Sequence, residues 1–510
     1  MLIYNTLTRR ADPITPTTPG KVRLYACGPT VYDVPHAGHG RQAAVFDVLV
    51  RVLRARGFVV KYVRNITDVD DKILNRAKEN GETPLDLSRR MTTAYNDDLR
   101  AMGCLTPDVE PKVSDHVPQI ISLIQEIIAK DGAYVVDMPG GTRDVYFSVR
   151  GFASYGKLSR RKLDELVSGA RVETDENKRD PLDFALWKGA DRGEWGWESP
   201  WGWGRPGWHI ECSAMCREHL GHGFEIHGGG MDLIFPHHEN EIAQAEAALP
   251  DRGPFAAIWM HNGFVNVDKE KMSKSLGNFV TMRDVFARND PEALRLFLIG
   301  VHYRGPIQFD TETLPDGRVV FPNVDEAERR VDYLYTTLER LRALVSSGQT
   351  VPARLPKELT AAREEGERSV ARADAALDDD LNTSVAIAEL GEIAKYANEI
   401  CDLAVRKQKD PAFQGGAAVV ARGLEMAMGR ITGELGILQT DVREYRKRTT
   451  ERRLKLRGLG PEDIGRRVAE RVEARKSKDF ARSDAIRADL EVLGVSLHDG
   501  TDGSTWTIAV

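Results

Sequence analysis

The feature that most constrains this chain is a strand–turn–helix–strand succession near its N-terminus. Val22 to Cys27 reads as a short strand, followed by the turn Gly28-Pro29-Thr30 and then Val34-Pro35-His36-Ala37-Gly38-His39-Gly40-Arg41. A segment from about Gln42 to Arg56 carries Val45, Phe46, Val48, Leu49, Val50, Val52 and Leu53. As a helix it is apolar over most of its circumference, so it is expected to lie buried against a sheet. Gly57 suits its C-terminal stop. Phe58 to Asn65 is β-branched and aromatic, hence a strand. Short links between such elements make a βαβ unit with a right-handed crossover. The fold class that follows is α/β, a Rossmann-type parallel sheet whose ligands sit at the carboxyl ends of its strands.

The chain has 510 residues, enough for several domains. The sheet domain is expected over residues 1–104 and 206–300. An insertion is expected over 105–205. It opens with an amphipathic helix (Val117, Ile120, Ile121, Ile124, Ile127, Ile128) and continues through Gly-, Arg- and Trp-rich stretches. Residues 301–440 read as a linker and a helical bundle, and 441–510 as a small separate module. That module has helices near 461–475 and 479–493 and a terminal hairpin around Thr501-Asp502-Gly503.

Charge and cysteine usage narrow the setting. No apolar run approaches the length of a membrane span, and the N-terminal residues lack a basic stretch followed by an apolar core. Five scattered cysteines do not make a disulfide framework. A cytoplasmic protein without membrane contact is expected. The net charge of −6 argues against a polyanionic partner, yet Asp441–Leu490 holds 16 Lys+Arg against 10 Asp+Glu. Such a segment fits either a solvated helical face or a site for a polyanion.

Two motifs carry chemistry. In His36-Ala37-Gly38-His39 two imidazoles flank a glycine where backbone can approach a ligand, and the following helix aims its positive dipole end there. This suits phosphate, although four residues fit a capped turn equally well. Lys271-Met272-Ser273-Lys274-Ser275-Leu276-Gly277-Asn278 is more specific. Two lysines three apart on a Gly/Ser loop can neutralise charge developing on a transferring group. A third constellation is weak by spacing alone: Cys27, Cys212, His237 and Glu241 offer zinc-type donors, with His237 and Glu241 on one helical face. Buried structural cysteines are the commoner case.

The two motifs together resemble the HIGH and KMSKS signatures of class I aminoacyl-tRNA synthetases, with Ala37 at the isoleucine position. Longer strings are similar to cysteinyl-tRNA synthetases across essentially the whole chain: Tyr25-Ala-Cys-Gly-Pro-Thr-Val-Tyr-Asp33, Arg64-Asn-Ile-Thr-Asp-Val-Asp-Asp-Lys72, Arg205-Pro-Gly-Trp-His-Ile-Glu-Cys-Ser-Ala-Met215 and Ile226-His-Gly-Gly-Gly-Met-Asp-Leu-Ile-Phe-Pro-His-His-Glu-Asn-Glu241. The resemblance implies ATP-dependent activation of L-cysteine to the adenylate and its transfer to tRNA(Cys), with Mg²⁺ accompanying the nucleotide. It implies catalytic roles for His36, His39, Lys271 and Lys274, and an ATP site that adds Gly38 and Ser273. It implies one zinc per chain on Cys27, Cys212, His237 and Glu241, with His238 the rival ligand and Cys216 a packing residue. Zinc would separate cysteine from serine by its preference for thiolate, which steric sieving does poorly.

Gly28, Thr67, Trp208 and Asp232 are further candidates to touch substrate, Asp232 through the α-ammonium; Trp208 reads equally as a core aromatic. The Gly228–Gly230 run suits close approach of adenosine or a tight turn. The resemblance makes the insertion a connective element near the tRNA acceptor end. It makes 441–510 an anticodon-binding module, with Arg466, Arg467, Arg471, Arg475, Lys476 and Lys478 facing backbone and Trp506 stacking on a base. A monomer is expected. Ligases that join cysteine to an amino sugar share the zinc and ATP motifs but lack the full C-terminal part that this chain has.

Overall fold

The computed structural model describes residues 1–162, 177–267, 270–271, 279–347, 354–500 and 503–510. A hairpin of β1 (Leu2–Asn5) and β2 (Arg10–Pro13) leads into β3 (Lys21–Ala26). Helix α1 then spans Ala37–Ala55, starting five residues earlier than its apolar run suggests. Glycines at 38 and 40 weaken helix propensity, but a reciprocal cap outweighs them. His36 Nδ1 accepts from Gly38 N at 3.1 Å, and His39 Nδ1 accepts from His36 N at 3.3 Å. Gly57, at φ 86°, turns the chain out of the helix. The apolar run is buried on all sides, from Val45 and Phe46 to Val52 and Leu53. β4 (Val59–Arg64) returns parallel to β3, from Lys21↔Val59 to Ala26↔Arg64.

Helices α2 (Asp71–Asn80), α3 (Pro84–Ala101) and α4 (Val117–Ala129) follow. The Gly- and Trp-rich stretch forms an antiparallel sheet that the sequence pattern did not reveal: β5 (Ala133–Asp137), β6 (Arg143–Phe147), β7 (Phe184–Gly189) and β8 (Gly204–Pro206), in that order. Trp187 and Trp201 pack together beneath it, ring centroids 5.9 Å apart. Val117, Ile120 and Ile124 of α4 share one apolar core with Trp187, Cys27 and Cys212. The second sheet is therefore fused to the first rather than tethered to it.

The parallel sheet resumes after α5 (Trp208–Leu220). β9 (Phe224–Gly230), α6 (Glu239–Ala248) and β10 (Ala256–Asn262) complete the order β10-β9-β3-β4, all parallel. The carboxyl ends of these strands open onto one edge. β11 (Val265–Val267) and β12 (Glu270–Lys271) lead to α7 (Met282–Arg288), α8 (Pro291–Ile299) and β13 (Ile307–Phe309).

A bundle of α9 (Pro322–Ser347), α10 (Lys357–Asp378), α11 (Thr383–Arg406) and α12 (Pro411–Leu435) stacks on the far side of α1 and α8. α13 (Val442–Leu456) ties the end of the chain to this body: Arg448 and Arg452 reach Asp290, and Arg453 reaches Glu328. α14 (Pro461–Lys476), α15 (Phe480–Val492), β14 (Val495–Gly500) and β15 (Gly503–Ile508) then close around a small core of Leu454, Ile464, Leu490, Val495 and Ile508. No described helix is long and apolar enough to cross a membrane.

Candidate active site

The strand ends border a cleft of about 350 Å³. Cys27 closes β3, Cys212 sits in the second turn of α5, and His237 stands just before α6, which carries Glu241. Cys27 Sγ lies 3.9 Å from Cys212 Sγ, 3.7 Å from His237 Nε2 and 3.5 Å from Glu241 Oε1; His237 Nε2 lies 3.0 Å from the same oxygen. All four donor atoms fall within 4.8 Å of one another and all four residues are buried. A tetrahedral zinc, with Zn–S of about 2.3 Å and Zn–N of about 2.0 Å, sets its donors roughly 3.3–3.8 Å apart. The donor set and its spacing fit that ion. Glu241 Oε2 is buried and makes no well-directed hydrogen bond, with His227 Nε2 3.4 Å away.

The electrostatics agree. A hydrogen bond from Cys27 lowers the Cys212 thiol to about 6, with help from His237 and against the effect of burial. Burial pushes Cys27 up. Burial also works against ionisation of Glu241, but His227 and His237 outweigh it and hold the carboxyl well below its usual range. His209 Nδ1, 3.0 Å from His237 Nδ1, holds the His237 ring in its orientation.

His36 and His39 also line the cleft, stacked with centroids 3.7 Å apart. Because each Nδ1 accepts a backbone N–H in the cap, each neutral ring carries its proton on Nε2. The capping geometry thus leaves N–H donors of the kind that bind phosphate. Gly38 lines the cleft with them. Lys271 pairs through its backbone with Asn266 in the β11–β12 ladder. Ser273 and Lys274 lie outside the described residues.

The other candidates separate clearly. A Cβ on Gly28 would come within 1.6 Å of Asn65 O, so only glycine lets the β3 and β4 ends meet. Thr67 is buried: its N–H donates to Pro29 O and its carbonyl accepts from Val31 N, pinning the loop after β3 to the loop after β4. Trp208 is no core aromatic; it is 39% exposed and stacks on His237 at 4.5 Å. Asp232 lines the cleft beside Gly230. The glycine run is a strand end, not a tight turn, and its closeness serves the protein itself: a Cβ at Gly228 would strike Phe46, and one at Gly229 would strike Leu233.

In the C-terminal module Arg466, Arg467, Arg475 and Lys476 are exposed on α14, and Lys478 is exposed just past its end. Arg471 points inward. It is buried and grips Asp499 of β14 through two hydrogen bonds, of 2.7 and 2.8 Å, so its guanidinium holds the hairpin. Trp506, on β15, is half-buried.

Sequence reasoning missed two histidines, His227 and His261; with His238, the rival ligand, they are buried beside Cys27 and Glu241. Lys72, Tyr95 and Gln42 also border the cleft. Gln42 Nε2 donates to Cys27 O, coupling α1 to the end of β3. Of these only His227, His238 and Lys72 lie inside the long similar strings; nothing in the sequence marks His261, Tyr95 or Gln42.

Comparison with known proteins places the whole chain. Residues 13–318 match the family described as tRNA synthetases class I (C) catalytic domain, and residues 372–439 match the DALR domain. A cysteine–tRNA ligase from Anaeromyxobacter sp. (strain Fw109-5) is 49% identical over 511 aligned residues, covering 100% of this chain and 99% of the relative. The chloroplastic/mitochondrial cysteine–tRNA ligase of Arabidopsis thaliana is 45% identical, covering 100% and 86%. Among solved structures, Mycobacterium tuberculosis methionyl-tRNA synthetase in complex with methionyl-adenylate shares the fold with a TM-score of 0.62 at 16% identity, covering 87% of this chain and 94% of that one.

Proposed function

The chain belongs to the cysteine–tRNA ligases, class I aminoacyl-tRNA synthetases, and from that membership we propose that Cys27, Cys212, His237 and Glu241 hold one zinc ion that selects the cysteine thiolate. The enzyme activates L-cysteine with ATP and transfers it to tRNA(Cys). The observation that carries the zinc reading is the convergence of four donor atoms within 4.8 Å, three of them from residues that line the cleft: Cys27, Cys212 and His237. Bound zinc favours a soft thiolate and deprotonates it, whereas a serine hydroxyl gains little.

The remaining groups then take their places. Trp208, stacked on His237, narrows the entrance over the substrate side chain. Asp232 meets the α-ammonium, and Gly28 and Thr67 shape the floor. The substrate carboxylate attacks the α-phosphate of ATP in line, forming the adenylate and releasing pyrophosphate. His36 and His39 donate Nε2–H to phosphate oxygens at the positive end of α1, with Gly38 allowing close approach. Lys271 and Lys274, with Ser273 between them in sequence, neutralise the charge that builds on the transferring group, with Mg²⁺ on the nucleotide.

The tRNA is bound at two ends. A groove of about 550 Å³ between the antiparallel sheet and α5 is lined by Lys178, Lys188, Arg205, Phe184 and Trp208. It adjoins the cleft through Trp208 and suits the single-stranded acceptor end. Residues 441–510 form the anticodon-binding module, with Arg466, Arg467 and Lys476 facing the RNA and Trp506 stacking on a base. The enzyme acts as a cytoplasmic monomer.

Charging of total bacterial tRNA with ATP and Mg²⁺ tests this reading, with serine as the control amino acid. Cysteine and not serine should be attached. Cys212→Ala should lose both the metal and cysteine-dependent pyrophosphate exchange; retention of both would remove Cys212 from the ligand set.

A further inference from the structure

A second cage of donors lies directly behind the first. His227 Nε2 is 3.5 Å and His238 Nε2 3.3 Å from Cys27 Sγ, and His227 Nε2 is 3.4 Å from Glu241 Oε2. The two cages share Cys27 and Glu241, and both are compact enough to hold a tetrahedral ion. Cys27, common to both, lines the cleft together with Cys212 and His237 of the outer cage, whereas His227 and His238 of the inner cage do not. An ion in the inner cage would lack the two cleft-facing ligands that present it to a substrate. Distances alone do not choose between them.

Protons do. Thr6 Oγ1 lies 2.7 Å from His261 Nδ1, and His261 Nε2 lies 2.8 Å from His238 Nδ1. With neutral rings, each imidazole carries one proton, so this chain has only two consistent states. In one, Thr6 O–H donates to His261, His261 Nε2–H donates to His238, and His238 Nε2–H donates to the Cys27 sulfur. In the other every proton runs the opposite way, and His238 Nε2 offers a lone pair to an ion. On the second flank His227 Nδ1 lies 3.7 Å from Cys216 Sγ, so a Cys216 thiol donating there leaves His227 Nε2–H facing Glu241.

Charge favours the first state. Cys27, Cys212 and Glu241 bring three negative charges and the substrate thiolate a fourth, against two positive charges on zinc. Buried N–H dipoles aimed at Cys27 and Glu241 offset that excess, whereas lone pairs would add to it. We infer that Thr6, His261 and His238 form a directional hydrogen-bond relay, seconded by Cys216 and His227, that confines the ion to the outer cage. The relay rests on the ligand reading above, and its members are positioning residues.

Cobalt substitution tests both layers. Sulfur-to-cobalt charge-transfer absorption scales with the number of Co–S bonds, two in the outer cage and one in the inner. The wild-type protein should show the two-thiolate intensity, about twice that of a small cobalt complex with a single thiolate ligand. Thr6→Val should fall toward the one-thiolate value and lose zinc to a chelator about tenfold more readily or worse, as outer-shell losses do. Thr6→Ser should behave as wild type. A one-thiolate spectrum in the wild-type protein overturns the ligand reading itself. A two-thiolate spectrum with Thr6→Val unchanged in spectrum and zinc retention overturns the relay alone. Nitrogen-15 NMR of the zinc-loaded wild-type protein needs no variant: a His238 proton on Nε2 supports the relay, and one on Nδ1 refutes it.

Discussion

Asp47→Ala is the substitution whose cost the structure defines most sharply. Asp47 lies on α1, the helix whose N-cap is His36 and whose first turn carries His39. Its carboxylate pairs with Arg295 of α8 and with Arg51 at 2.8 Å, and it accepts Leu105 N–H at 2.6 Å. Arg295 is fully buried, and its Nε donates to Leu435 O at 2.9 Å, at the end of bundle helix α12. Burial pushes the Asp47 carboxyl up, but Arg295 and Arg51 outweigh it and hold it below the ordinary range. Alanine leaves a fully buried guanidinium without its hydrogen-bonded counter-charge, Glu292 acting on it only through space. Stranding one partner of a buried pair costs about 3–5 kcal/mol, and orphaning the Leu105 N–H adds about 1 kcal/mol or more. A loss of roughly 4–6 kcal/mol should show as a lower urea midpoint of the first unfolding transition. ATP–pyrophosphate exchange should fall with it, because α1 also positions the phosphate-binding turn. Asp47→Leu combined with Arg295→Met should recover most of the stability, since replacing both charges with apolar groups is near neutral. A single variant within about 1 kcal/mol of the parent would show that Arg295 is satisfied without Asp47 and would refute the reasoning.

Gly28→Ala drives a Cβ into Asn65 O and must part the ends of β3 and β4; a raised KM for cysteine and a lowered Tm are expected, and parental values for both would contradict the geometry. Burial raises the Glu225 carboxyl, but Arg23 and Thr17 outweigh it and hold it at about 2, below the unfolded value of about 4.3. Its contribution is full above the unfolded pKa and is lost as pH falls through the folded one, so the parent should lose more stability than Glu225→Gln between about pH 4.3 and 2; parallel curves would exclude the pair as the cause. Removing residues 461–510 leaves α13 anchored to Asp290 and Glu328 and should cut tRNA charging more than tenfold while adenylate formation persists; equal loss of both would make the module a stability element.

What the sequence revealed depended on how locally each feature is encoded. The apolar run of α1, the helix from Val117 and the two C-terminal helices are periodic over one segment, and the structure contains them all. Helix α1 was read as starting near Gln42 because glycines at 38 and 40 look like turn residues, while the cap that starts it is made by two histidine rings. The antiparallel sheet of β5–β8 was illegible because its strands are short, two are separated by more than 30 residues, and its core is made by tryptophans facing one another across the fold. Arg471 was read as facing RNA because it sits in a basic helix; its burial is imposed by Asp499, 28 positions away.

The same contrast runs through the site. His237 and Glu241 are a helical-turn pair that spacing alone suggests, but Cys27 and Cys212 are 185 positions apart and meet only because β3 and α5 flank the same strand end. His227 and His261 lie on neighbouring strands β9 and β10, and nothing local marks them as a pair. Yet the parallel register sets Tyr25 beside His227 and Gly229 beside His261, so one sheet delivers Cys27 and both histidines to adjacent positions. A bare Gly229 leaves His238 room to reach between them: a Cβ there would lie 3.1 Å from its ring. The glycine run thus makes room for the imidazole behind Cys27. Gly229→Ala should accordingly disturb metal retention before it disturbs ATP binding, and an ATP-binding defect with intact metal affinity would return that glycine to the nucleotide site.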